Sequence, residues 1–231
     1  MGTQINIMGL EIDIIGMDAL LSIVDEFLED DVLNVILFAT TDLIDQTVED
    51  EELKNLVMDA DYILPGDETL LSLHHVDTLK IASMVVDCES LASIFGDVNL
   101  KGRSIYAVAS NEKDASAYMN FVKEHYPHME ALGAFWEELE QNQELAINEI
   151  NSLTPDILIF LTDTPFQERF IMENKSKLNA KLCIGLGHVP LETMIGHKNK
   201  GIKKILDTRI FKRKVEKYKH KKGGKMNGDN Q

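Results

Sequence analysis

Asp156-Ile157-Leu158-Ile159-Phe160-Leu161-Thr162-Asp163-Thr164-Pro165-Phe166-Gln167-Glu168-Arg169-Phe170-Ile171 is the stretch that decides the fold class of this chain. Ile157 to Leu161 are all apolar and read as a strand buried on both faces. The run stops at Thr162-Asp163-Thr164, and Pro165 follows, a residue favoured at the first helical position. Thr164 is then the expected N-cap. Gln167 and Glu168 fall in the first helical turn, facing the carboxyl end of the strand. In open α/β sheets that edge is where ligands bind. The same residues also make an ordinary capped helix whose acidic first turn suits the helix dipole. The local pattern by itself favours this plainer reading.

Working outward, the strand-then-helix unit recurs. Ile5 to Ile15 alternates apolar and polar residues around Gly9, as a hairpin does. Leu20, Ile23, Val24, Phe27 and Leu28 then follow helical spacing. Val35 to Ala39 is a short apolar strand that delivers Thr40-Thr41-Asp42. Tyr62-Ile63-Leu64 is another, ending in Pro65-Gly66-Asp67, where Asp67 fits a helix cap or a general base. Ile81 to Val86 is apolar, and a helix starts near Asp87. Ser104 to Ala109 is a strand, Ser110-Asn111 caps a helix through His125, and Met129 to Ala134 is a further strand. Trp136 to Ile150 reads as an acidic helix. Lys181 to Ile184 runs into Gly185-Leu186-Gly187-His188, a glycine-rich strand end of the kind that admits a phosphate close to backbone.

This alternation predicts an α/β, Rossmann-like fold, a mainly parallel sheet with helices on both faces. Right-handed crossovers place every strand-end loop on one rim. That rim gathers Thr40 to Asp42, Pro65 to Thr69, Ser110, Asp163 to Glu168 and Gly185 to His188. The spacing therefore points to a single cleft, without naming a reaction.

Composition narrows the classes. Of 231 residues 44% are hydrophobic, enough for a sizeable core. No apolar run reaches the ~18 residues of a spanning helix, and the N-terminus does not read as a signal peptide. Cys88 and Cys183 lie far apart in apolar surroundings and read as buried free thiols in a reducing cytoplasm. No Cys/His spacing suggests zinc, and the adjacent His74-His75 diverge on a helix, so no metal is expected. The net charge of −16 is unevenly placed. Residues 198–231 hold 13 basic and 3 acidic residues, against 10 basic and 36 acidic in 1–197. We read an acidic domain over 1–197 and a basic tail over 198–231. The acidic body argues against nucleic acid as a ligand. The tail fits an anionic membrane surface, a solvated terminus, or a segment folded back on the body.

The order of segments resembles the WecG/TagA/CpsF family of bacterial glycosyltransferases, over roughly residues 5 to 196. It is carried by Gly9-Leu10-Glu11-Ile12-Asp13, Ala39-Thr40, Pro65-Gly66-Asp67, Tyr126-Pro127, Pro165-x-Gln167-Glu168 and Gly185-x-Gly187. The resemblance implies transfer of an N-acetylhexosamine from a UDP-sugar to an undecaprenyl-diphosphate-linked sugar, without metal or other cofactor. It implies work at the cytoplasmic membrane face, with a UDP-sugar and a polyprenyl-linked acceptor as partners, and leaves room for a homo-oligomer. By the same resemblance Asp67 is the candidate base, with Thr40 beside it. Asp42, Asp87, Gln167, Glu168, Gly185 and Gly187 are the candidate substrate contacts. The chain departs from the pattern at several points. Gly66 stands where the family has its Asp, Ala82 where it has an Arg, and His188 where it has a Gly. Two functions follow: an active transferase with a variant site, or a non-catalytic relative that binds within the same pathway.

Overall fold

Five-residue and six-residue apolar runs bury both of their faces only when helices cover each side of a sheet. The computed structural model has that arrangement. It describes residues 3–67, 70, 89–187 and 211–219. A hairpin opens the chain, β1 (Thr3–Ile7) against β2 (Leu10–Ile14). The turn uses Met8 and Gly9, both with positive φ. Then come α1 (Met17–Glu29), β3 (Asn34–Ala39), α2 (Thr41–Glu49), α3 (Glu51–Met58) and β4 (Tyr62–Pro65). After these follow α4 (Glu89–Leu100), β5 (Ser104–Ala109), α5 (Glu112–His125) and β6 (Glu130–Phe135). The order closes with α6 (Gln143–Leu153), β7 (Ile157–Leu161), α7 (Phe166–Asn174), β8 (Leu182–Gly185) and a helix over residues 211–219, here α8.

Strands β3 to β8 form one parallel sheet in the order β4-β3-β8-β7-β5-β6. Successive residues point to opposite faces. Val35, Leu37, Val108, Leu158, Phe160 and Cys183 enter one core layer, with the hairpin, α2, α3, α6 and α7. Ile36, Phe38, Ala107, Ile159 and Ile184 enter the other, with α1, α4 and α5. The Rossmann-like α/β expectation therefore holds, with helices on both faces.

Direction and face go together in the connections. The β3-to-β4, β6-to-β7 and β7-to-β8 crossovers all step toward the β4 edge, and their helices lie on the first face. The β5-to-β6 crossover steps the other way, and α5 lies on the second. That correlation is what crossovers of one hand require.

Carboxylates pin the amino-terminal rim. Asp61, just before β4, accepts from Val35 N of β3 at 2.7 Å. Asp156, just before β7, accepts from Ser104 N of β5 at 2.9 Å. Each fixes the start of one strand against its neighbour. Because both lie opposite the ligand edge, the role of these acids is register.

Two local expectations are corrected. Residues 136–142 are not helical, because Glu138 takes a left-handed backbone (φ 38°). Its carbonyl accepts from Gln141 N and Asn142 N, closing a turn before α6 starts at Gln143. Thr164 does not cap α7. Pro165 sits at the cap position, and the Thr164 hydroxyl turns instead to the Glu168 carboxylate.

In the basic region, residues 211–219 fold back on the body. Phe211 and Val215 are buried in the first core layer, and Tyr218 packs against it. Lys214 Nζ meets Asp45 Oδ2 of α2 at 2.5 Å. Cys183 is a buried free thiol, as its apolar surroundings suggest. Cys88, His74 and His75 lie outside the described residues.

Candidate functional site

The carboxyl ends of β3, β4, β7 and β8 converge, so most of the expected residues meet. Gln167 and Glu168, in the first turn of α7, are both buried, at 0% and 2% exposure. Burying an amide and a carboxyl requires hydrogen-bond partners. Gln167 Oε1 accepts from Gly187 N at 2.9 Å, and its Nε2 donates to Glu168 Oε1 at 3.1 Å. Thr164 Oγ1 donates to that same carboxylate oxygen at 2.8 Å. Glu168 Oε2 is buried and has no partner. An unpaired buried polar atom costs about 1–3 kcal/mol, so the first turn of α7 carries an uncompensated carboxyl oxygen. Burial pushes the Glu168 carboxyl above its ordinary range, and the charge of Asp42 adds to this. The hydrogen bonds from Thr164 and Gln167 oppose it.

Gly185 is small for a steric reason. A Cβ there would lie 2.7 Å from Leu37 Cδ2 and 2.9 Å from Gln167 Nε2. Its bare backbone is what lets Gln167 reach across to β8. Gly187 has φ +58°, a left-handed turn that glycine adopts without strain, and faces Thr40 Cγ2. Thr40 caps α2, its Oγ1 accepting from Leu43 N at 3.2 Å. Asp42, in the first turn of α2, is exposed, and its charge acts on Glu168.

Asp67 joins two elements. Its Oδ2 accepts from Thr41 N at 2.9 Å and its Oδ1 from Leu70 N at 3.2 Å. The carboxylate thus ties the end of β4 to the start of α2. The neighbouring position admits no side chain. A Cβ on Gly66 would sit 2.7 Å from the Ala39 carbonyl oxygen, and Gly66 N already donates to that oxygen at 2.6 Å. With β3 so close, the carboxylate of this turn has to stand at 67.

The structure therefore gathers Thr40, Asp42, Asp67, Gln167, Glu168, Gly185 and Gly187 on one rim. Asp87 and His188 lie outside the described residues. Among the described residues, no group of three or more His, Cys, Asp or Glu side chains is placed to hold a metal ion. No helix among them is long and apolar enough to cross a membrane.

Sequence reasoning missed Thr162 and the turn over 136–142, and it gave Thr164 to the helix cap rather than to Glu168. Burial of Thr162, at 3% exposure, depends on neighbouring strands and leaves no trace in its own segment.

Comparison with known proteins adds two findings. The model of the glycosyl transferase WecG/TagA/CpsF family matches residues 5–194. An N-acetylglucosaminyldiphosphoundecaprenol N-acetyl-beta-D-mannosaminyltransferase of Bacillus subtilis (strain 168) is 19% identical over 140 residues. That match covers 61% of this chain and 54% of the relative, so the chain spans about half the length of the curated protein it matches.

Proposed function

This chain belongs to the WecG/TagA/CpsF glycosyl transferase family, and from that premise we propose that it transfers an N-acetylhexosamine from a UDP-sugar to an undecaprenyl-diphosphate-linked sugar in cell-envelope polysaccharide synthesis. The observation that carries the reading is the buried Gln167–Glu168 pair with its unpartnered Glu168 Oε2. Such a pair is pre-positioned for hydroxyl and amide groups, the chemistry that a nucleoside presents. In this reading Gln167 and Glu168 hold the donor nucleotide. Gly185 and Gly187 let its phosphates approach backbone, and Asp87 belongs to the donor side. Thr40 and Asp42 stand near the acceptor. Asp67 removes the proton of the acceptor hydroxyl. The basic residues beyond 197 hold the protein at the anionic membrane face where a polyprenyl-linked acceptor lies.

One observation favours the second reading, a relative that binds these ligands without turnover. Both Asp67 oxygens already accept backbone N–H groups, which is the pattern of a structural cap. Asp67→Asn separates the two. As a base, Asp67 accounts for about 10²–10⁴-fold of the rate. We therefore expect UDP-sugar turnover to fall at least 100-fold with UDP affinity unchanged. Wild-type protein that binds UDP but never turns over assigns the chain to the second reading.

A further inference from the structure

Gln167 is sealed, with 0% of its surface exposed, so it serves a bound ligand through what it holds. What it holds is the chain just past β8. β7 and β8 are adjacent and parallel, with Phe160 beside Gly185, and Leu186 N still donates to Phe160 O at 3.1 Å. One residue further, Gly187 N donates to Gln167 Oε1 at 2.9 Å. A side chain of α7 thus takes the place of a strand carbonyl, and it fastens the left-handed turn at Gly187.

A primary amide can stand two ways round, with oxygen and nitrogen exchanged. Only one way suits Gly187, because the other sets the Nε2 donor against the Gly187 N–H. Glu168 governs the far end of the same amide. Its Oε1 accepts from Gln167 Nε2 at 3.1 Å and from Thr164 Oγ1 at 2.8 Å. Two donors on one carboxyl oxygen keep that oxygen an acceptor. A proton on this carboxyl then belongs on Oε2, the oxygen without a partner. Burial favours such a proton. Without the Thr164 hydroxyl the proton can sit on Oε1, where it opposes the Gln167 N–H and frees the amide to turn over. Thr164 is half-buried, four residues before Glu168, and Pro165 rather than Thr164 stands at the cap position of α7. Its hydroxyl is therefore spent on the carboxyl and not on the helix end.

We propose that Thr164 is a positioning residue of the site: its hydroxyl keeps Glu168 Oε1 an acceptor, which holds the Gln167 amide the one way round that fastens the Gly187 turn beside the bound nucleotide. This rests on the donor reading above and says how a sealed glutamine serves it.

The test uses the full chain labelled with nitrogen-15, in which NMR reads hydrogen exchange of the Gly187 amide and calorimetry reads UDP affinity. Thr164→Val keeps the shape and removes the hydroxyl, and Thr164→Ser restores it. In Thr164→Val, exchange at Gly187 is expected to quicken about 10-fold, the size of one lost hydrogen bond. The amides of Ile157 to Leu161 exchange as in wild type, which shows that the sheet is intact. UDP affinity falls by a similar factor, and Thr164→Ser returns both quantities to wild-type values. Thr164→Ala, which lacks the hydroxyl without adding a methyl group in its place, gives the same pattern as Thr164→Val. Exchange at Gly187 unaltered in both Thr164→Val and Thr164→Ala overturns the assignment. So does quickened exchange with UDP affinity unchanged, or a serine variant that restores neither. Wild-type protein that binds no UDP sinks the donor reading alone, and exchange at Gly187 still decides whether Thr164 sets the turn.

Discussion

Glu168 shows how one side chain records both a fold and a function. Its folded-state pKa is raised above the ordinary value of 4.5, chiefly by burial. The folded state then holds the proton more tightly than the unfolded chain does. Stability is therefore greatest below the unfolded value and falls as pH rises through the folded one. Glu168→Gln keeps the shape and an acceptor for Thr164 but cannot ionise. We expect this variant to be more stable than wild type at pH 8, by about 1 kcal/mol, the usual size for relieving a strained functional site. The difference should vanish near pH 4, and thermal melts at pH 4, 6 and 8 read it. If Glu168 holds the donor nucleotide as proposed, the same variant binds UDP more weakly. Gly66 makes the opposite case, a residue whose role is only steric. Gly66→Ala forces a Cβ against the Ala39 carbonyl oxygen, a backbone atom that cannot swing aside. A loss of about 1–3 kcal/mol is expected from such overpacking, read as a lower denaturant midpoint.

At the scale of elements, helix α8 separates apolar burial from charge pairing. Phe211 and Val215 are buried in the first core layer, while the Lys214–Asp45 pair is partly exposed. Phe211→Ala should cost about 3–5 kcal/mol, as large-to-small changes of a buried aromatic do. Lys214→Ala should cost less than about 1 kcal/mol, the range of exposed ion pairs. Urea unfolding of the two variants checks the contrast. The sequence displayed this helix only as a run of like charges, because two apolar residues four apart in a basic segment do not say what they pack against. The sheet strands were legible for the opposite reason. Val35 to Ala39 and Ile157 to Leu161 carry their double-sided burial in their own composition. The turn over 136–142 was hidden, since Leu139, Ala146 and Ile150 keep helical phase across it. Only the left-handed Glu138 breaks the run.

For the molecule as a whole, the parallel sheet explains why residues so far apart in sequence share one rim. Each crossover returns the chain to the same edge, so Thr40, Asp67, Gln167 and Gly187 arrive together from four strands. This much the alternation of strands and helices foretold. That the helices after the adjacent strands β5 and β7 lie on opposite faces was not foretold, because the pattern of a helix does not say which face of the sheet it covers. Acceptor-dependent release of UDP measures most directly whether this rim is a transferase site. Purified protein is given a UDP-N-acetylhexosamine, with and without a short-chain polyprenyl-diphosphate-linked N-acetylglucosamine. A transferase site gives UDP release that requires the acceptor and falls at least 10-fold in Gln167→Ala, with a glycosylated lipid as the matching product. No release with the acceptor present, together with no thermal stabilisation by UDP, would contradict it.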